Sequence, residues 1–392
     1  MYRPLDPPSR ILLGPGPSDC HPKTLLAQAI PVIGHMDPAF VAIMNEVAEL
    51  LREVYGTQNK LTLPMSATGS AGMETVTVNL IEPGDNVIVC VNGLFGERWV
   101  DVATRAGANV TVVEAPWGEA IDPADVEAAI KQGSFKAVCL VYAETSTGVR
   151  QPLEDIAKIA HDHGALFVTD CVTAIGGIPI EADKVGIDAA YAGTQKCLSA
   201  PPGLAPVTFN QRALDIIMNR KTKVQSWYLD LTMIAQYWGG TKRAYHHTAP
   251  ISNVFGLHQA LGLIHEEGLE NVFLRHATLG KALQKGLEAM GLKLLVKNPE
   301  HRLPNLTTFL IPEGIDDATV RSQLLSQYGI EIGGGLGSLS GKIWRIGLMG
   351  HSCRARNVIM VLGALETILT ELGYKCDKGA SLAAAQEVLA EK

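Results

Sequence analysis

The chain has 392 residues, 47% hydrophobic and 19% charged, with a formal net charge of −7. That length is generous for one hydrophobic core, so two packed domains are expected, and the composition excludes a disordered chain. The acidic balance and the lack of any Lys/Arg-rich run argue against a nucleic-acid or anionic-membrane partner. No stretch approaches the run of about 18 apolar residues that suggests a membrane span, and residues 1–8 lack the apolar core of a secretory signal. Seven cysteines are scattered with no C-x-x-C pair. A cytoplasmic protein with reduced thiols, no disulfide framework and no metal site is the expectation.

Taken in order, a helical pattern covers residues 40–55, with Gly56 placed to stop it. A second helix starts near Ser70 and ends before the turn at 82–85. The apolar run 87–91 reads as a strand buried on both faces. A helix over 98–105 and a strand at 110–113 come next, and Asp122 with Pro123 opens a further helix as N-cap and first-turn proline. A strand at 137–142, a helix over 153–163, a strand at 166–169 and a short strand at 189–191 continue the alternation. This rhythm predicts an α/β domain with a mostly parallel sheet. Beyond about residue 250 it changes to a long helical stretch at 252–290 and strands at 292–296 and 306–311. A helix over 317–328, strands at 330–332 and 343–346 and a terminal helix follow. That is a smaller α+β unit. The expected organisation is an N-terminal arm (1–20), a large domain (21–255) and a small C-terminal domain (256–392). The tail 381–392 has helical composition, with docked and frayed both open.

In open α/β sheets ligands bind beyond the carboxyl ends of the strands, and several suggestive residues fall there. Asp170 directly follows the strand at 166–169, where a carboxylate can keep a ring nitrogen protonated; an isolated Asp at that place equally serves a turn or cap. Lys196 lies in the small-residue loop AGTQKCL at 192–198, and such a lysine can form a Schiff base with an aldehyde. A solvated surface lysine is the plain alternative. Thr68, Gly69 and Ser70 precede a helix, whose first amides can cradle phosphate, although Ser and Thr are ordinary at N-caps. No Walker motif occurs. Phe95, just past a strand end, can stack on an aromatic ring or simply fill core.

Together these residues resemble the class V aminotransferases of pyridoxal 5′-phosphate (PLP) fold type I. The resemblance runs nearly end to end, from LLGPGPS at 12–18 through ETSTG at 144–148 and YHHT at 245–248 to WRIGLMG at 344–350. It implies a seven-stranded, mostly parallel sheet in the large domain and PLP as cofactor. Lys196 would hold the cofactor as a Schiff base and shuttle protons, with Asp170 on the pyridine nitrogen. Phe95 and Val172 would cover the two ring faces, and Ser146 would reach the ring hydroxyl. Thr68, Gly69, Ser70 and Gln195 would hold the phosphate. Tyr245 and Thr248 match positions that reach the phosphate of a neighbouring subunit, which implies a homodimer with shared active sites. Arg345 would clamp the substrate carboxylate through bidentate geometry, with Gly16 and His35 also near substrate.

The nearest subgroup is the alanine–glyoxylate and serine–pyruvate enzymes. They move the amine of L-alanine or L-serine to an oxo acid by a ping-pong mechanism. KCLS at 196–199 instead resembles the ureidoglycine–glyoxylate subgroup. That subgroup carries Gln and Asn where this chain has His35 and Tyr245, so alanine–glyoxylate is favoured and ureidoglycine–glyoxylate is the alternative. A cysteine desulfurase would want His before the lysine, where Gln195 stands. A nicotinamide oxidoreductase would want a G-x-G-x-x-G opening a helix, which is missing. A non-enzymatic scaffold would have no use for the set Asp170, Lys196 and Arg345.

Overall fold

A computed structural model of the chain describes residues 2–239 and 243–391. Its helices begin where the sequence supplies caps. Asp37 accepts from Ala39 N at 2.8 Å to open Pro38–Tyr55, and Asp122 accepts from Ala124 N at 2.9 Å to open Pro123–Ile130, each with proline in the first turn.

Seven strands form the central sheet: β1 (Leu61–Met65), β2 (Asn86–Val91), β3 (Asn109–Glu114), β4 (Ala137–Val141), β5 (Leu166–Asp170), β6 (Ala189–Tyr191) and β7 (Ala205–Phe209). Their order across the sheet is β1-β7-β6-β5-β4-β2-β3, and only β7 runs antiparallel to its neighbours. Every residue of β1, β4, β5, β6 and β7 is buried, as expected where helices cover both faces of a sheet. Because six strands point the same way, their carboxyl ends share one edge. The turns leaving that edge carry the chemistry.

In the C-terminal part Leu269–Ala289 packs on a three-stranded sheet of Leu306–Leu310, Ile343–Gly347 and Gly333–Gly334, and Ala380–Ala390 lies across Leu269–Ala289 and Ala355–Glu371. The tail is therefore a docked helix, with Ala385 and Val388 buried in the second core. Leu13 of the N-terminal arm also enters that core, and Ile11–Leu12 pairs in parallel with Ile330–Glu331.

The structure departs from the sequence expectations in several places. The helical stretch at 252–290 is two helices, Ile251–Glu267 and Leu269–Ala289, broken at Gly268, where φ is 83°. The strand expected at 292–296 is reduced to a single antiparallel bridge between Leu294 and Phe309, flanked by Leu295 N donating to Thr308 O at 3.0 Å and Leu310 N donating to Lys293 O at 2.8 Å. The boundary expected at 255/256 falls inside Ile251–Glu267, whose buried Val254, Leu257, Leu261 and Ile264 all join the first core. The cores change over in the next helix, between Val272 and Leu279. Strands β1 and β7 carry no sequence signal because each contains a proline; Pro64 and Pro206 sit opposite one another in the antiparallel register.

Candidate active site

A cavity of about 210 Å³ opens at the carboxyl edge of the sheet, and Lys196, Asp170, Gln195, Ser70, Gly69, Phe95 and Val172 all line it. Asp170 ends β5 and is 3% exposed. Its Oδ1 accepts from Val172 N at 2.7 Å, and its Oδ2 accepts from the Tyr191 hydroxyl at the neighbouring end of β6. Burial still outweighs these bonds and pushes the carboxyl up from 3.8 to about 7. A cation set against Asp170 would reverse that shift.

Lys196 sits in the turn between β6 and β7 and is 9% exposed. Its ammonium donates to Pro15 O, so the 14–16 segment roofs the amine; a Cβ on Gly16 would overlap Nζ. Burial pushes the amine down from 10.5 to about 8, with Arg345 adding to the push and Asp170 opposing it. An amine so placed sheds its proton easily near neutral pH, which suits both imine formation and proton carriage.

Arg345 reaches the same region from the small sheet. It lies on Ile343–Gly347, is 5% exposed, and donates from Nε to Gly334 O at 2.7 Å and from Nη1 to Thr145 O at 3.0 Å. Thr145 itself lines the cavity, so the guanidinium lies directly behind its wall. No carboxylate forms a salt bridge with Arg345 among the described residues. A buried guanidinium without an acidic partner is a poor structural element and a good anion receptor.

One expected role needs correcting. Ser146 does not face the cavity: it is fully buried, its Oγ donates to Glu144 Oε1 at 2.6 Å, and the same Oγ accepts from Leu94 N at 2.9 Å. Its hydroxyl is spent on the head of helix Leu94–Arg105, and Thr145 takes the place on the cavity wall. Glu144 completes that anchor by accepting from Phe95 N at 3.1 Å, and burial raises its carboxyl above the usual range. Of the three residues expected at the phosphate helix Gly69–Leu80, Gly69 and Ser70 line the cavity; Thr68 is the exposed N-cap outside it. Tyr245 and Thr248 are exposed and do not line the cavity of their own chain, and Tyr245 packs against His35 with ring centroids 5.2 Å apart.

Arg98 and Tyr191 also line the cavity and are not among the residues the sequence points to. Arg98 stands one helical turn after Phe95, lies over that ring at 4.7 Å and donates to Ser70 Oγ at 3.4 Å, which puts a cation beside the helix start. Spacing along the helix was the available signal. Tyr191 had none, since only the pairing of β5 with β6 brings it to Asp170.

Fold and cavity together define a lysine-centred α/β enzyme, with an amine, a carboxylate and a guanidinium supplied by two packed cores. The family described as Aminotransferase class-V matches residues 24–356. The (S)-ureidoglycine–glyoxylate transaminase of Bacillus subtilis (strain 168) is 41% identical, over 98% of this chain and 97% of its own. A solved structure of the B. subtilis ureidoglycine–glyoxylate aminotransferase superimposes with a TM-score of 0.96, at 43% identity over 99% of this chain and 100% of that one. The alanine–glyoxylate aminotransferase of Nostoc sp. gives 0.92 at 46% identity, over 94% of this chain and 97% of that one. The mouse (Mus musculus) alanine–glyoxylate aminotransferase is 41% identical, over 94% of this chain and 90% of its own.

The chain belongs to the class V aminotransferases, enzymes of PLP fold type I, and its cofactor is pyridoxal 5′-phosphate. The residues present fit that group. The cavity offers an amine for its aldehyde, a carboxylate for its ring nitrogen and a helix start for its phosphate. Gln195 lines the same wall, and its side-chain amide N–H groups are the donors it can offer a phosphate.

Proposed function

We propose that this aminotransferase moves the amine of L-alanine or L-serine to glyoxylate, giving pyruvate or hydroxypyruvate and glycine. The carrying observation is that Lys196 and Asp170 line one cavity, with Arg345 of the small sheet held directly behind its wall at Thr145 O. Bound PLP supplies an electron sink that stabilises negative charge at the donor's Cα. Lys196 holds the cofactor and carries the proton to and from that carbon. Asp170 keeps the ring nitrogen protonated, while Phe95 and Val172 pack on the ring. Gly69, Ser70 and Gln195 hold the phosphate. Arg345 orients the substrate by its carboxylate, and Gly16 limits the room above the amine.

Arg345→Ala is expected to raise KM for both amino and oxo acids. Losing a charged hydrogen-bond partner is worth about 1.5–3 kcal/mol, or roughly 10- to 150-fold. Steady-state kinetics with alanine and glyoxylate read this directly, and unchanged KM values would reject the clamp.

We place the active enzyme in the cytoplasm as a homodimer. No helix among the described residues is long and apolar enough to cross a membrane. Leu26, Val32, Trp227 and Tyr245 are each more than 60% exposed, and an apolar surface of this kind suits a second copy. Tyr245 and Thr248, standing outside their own cavity, are then free to reach the phosphate held by the other subunit.

Ureidoglycine–glyoxylate transamination is the second reading, favoured by the B. subtilis relative and its TM-score of 0.96. An imidazole and a phenol at His35 and Tyr245, in place of two amides, favour the first. A panel of alanine, serine and ureidoglycine with glyoxylate separates them. Alanine or serine should give the highest kcat/KM, and ureidoglycine ranking first would reverse the choice.

A further inference from the structure

Three residues beyond Lys196, Ser199 holds a left-handed backbone with φ 53°, a conformation unfavourable for a residue with a Cβ unless its surroundings impose it. Three chain segments impose it here. Ser199 N donates to Lys196 O at 3.0 Å and closes the turn that carries the lysine. From the N-terminal arm, Ser18 N donates to Gln195 O at 2.8 Å and Ser18 Oγ donates to Lys196 O at 2.6 Å. Ser18 has then spent its only hydroxyl proton, so in the 3.3 Å contact between the two side chains Ser199 is the donor. From the small core, His351 N donates to Ser199 Oγ at 2.7 Å. Both serines are at most 6% exposed.

The small-core segment is itself tightly fixed. Gly350 lies so close that a Cβ would overlap Ser199 Oγ and Cys197 O. Its N–H donates to Nε2 of the fully buried His276 at 2.9 Å, and that ring's Nδ1 bonds Val272 O at 2.7 Å. Burial pushes His276 down to about 4, so the imidazole is neutral and its acceptor nitrogen stays available. The same segment continues from Ile343–Gly347, the strand carrying Arg345, and Gly347 N donates to Leu13 O at 2.8 Å.

From this we infer that Ser199 is a positioning residue: it ties the turn bearing Lys196 to the segment bearing Arg345 and so sets the separation between amine and guanidinium. The inference rests on the roles given to those two residues above. Ser199 touches neither substrate nor cofactor and acts through the geometry of others.

The test uses the PLP-loaded enzyme and propionate, an unreactive carboxylate, titrated by its effect on cofactor absorbance. Ser199→Ala, which deletes one hydrogen-bonding hydroxyl, is expected to weaken propionate about fivefold and to move cofactor affinity by less than about twofold. Ser199→Asn tolerates the left-handed backbone, keeps an acceptor for His351 N and should recover most of the loss. Ser18→Ala gives the same readout from the opposite side should Ser199→Ala fail to fold. Unmoved propionate affinity in the foldable variant overturns the inference. So does a loss that tracks cofactor affinity and melting temperature together and that Asn does not rescue. Borohydride trapping keeps the two levels apart. An adduct away from Lys196 in the unaltered enzyme overturns the reading of the site, whereas a Lys196 adduct with unmoved propionate affinity overturns Ser199 alone.

Discussion

Lys196→Ala is expected to lower turnover by about four orders of magnitude, the upper end for loss of a positioned proton-transfer group. The size follows from where the amine lies. It is 9% exposed, roofed by Pro15 O, and burial holds it at about 8, so it exchanges protons readily near neutral pH. Within the described residues no second lysine lines the cavity to take over. Added PLP should still bind weakly through the phosphate end, and an external primary amine should restore part of the activity. Turnover within tenfold of the unaltered enzyme would remove Lys196 from the mechanism.

Asp170→Asn should cost about 10²–10³ in kcat, the range for removing one preorganised electrostatic partner. It carries a second consequence that is independent of catalysis. The carboxyl stands at about 7 in the fold against an ordinary 3.8, so between those values the folded chain holds a proton that the unfolded chain releases. A raised folded pKa means that the contribution to stability is complete below 3.8 and declines as pH rises to about 7. Thermal denaturation of the cofactor-free protein should therefore show Asp170→Asn gaining stability over the unaltered chain as pH climbs through that window. With cofactor bound, a cation beside Asp170 offsets the loss, and the order of melting temperatures should narrow or invert. A difference independent of pH would contradict the assignment of a buried, cation-seeking carboxylate.

Much of this architecture is legible in the sequence. The apolar runs of β2, β4 and β5 and the cap Asp122 announce an alternating α/β domain, because local propensity and tertiary burial agree there. The two proline-containing strands β1 and β7 escape because ladder partners at the sheet's end override the local signal. Lys196, Asp170, Gln195, Gly69, Ser70, Phe95 and Val172 were readable from position relative to strand ends and from the family pattern, and they line one cavity. Ser146, expected at the ring hydroxyl, is turned away from the cavity. The two-residue strands Ala143–Glu144 and Val149–Arg150 turn Thr145 toward the cavity and Ser146 toward the Leu94 amide, an orientation that no composition reveals. The partners that tune the site, Tyr191 against Asp170 and Ser18 against Lys196, are joined only by topology, at separations of 21 and 178 residues.

One covalent assignment underlies the account, and it can be read without kinetics. The PLP-loaded protein is reduced with borohydride, digested and sequenced by mass spectrometry. A single stable pyridoxyl adduct is expected on the peptide carrying Lys196, absent in Lys196→Ala. An adduct on another lysine, or none in a fully active preparation, would contradict it.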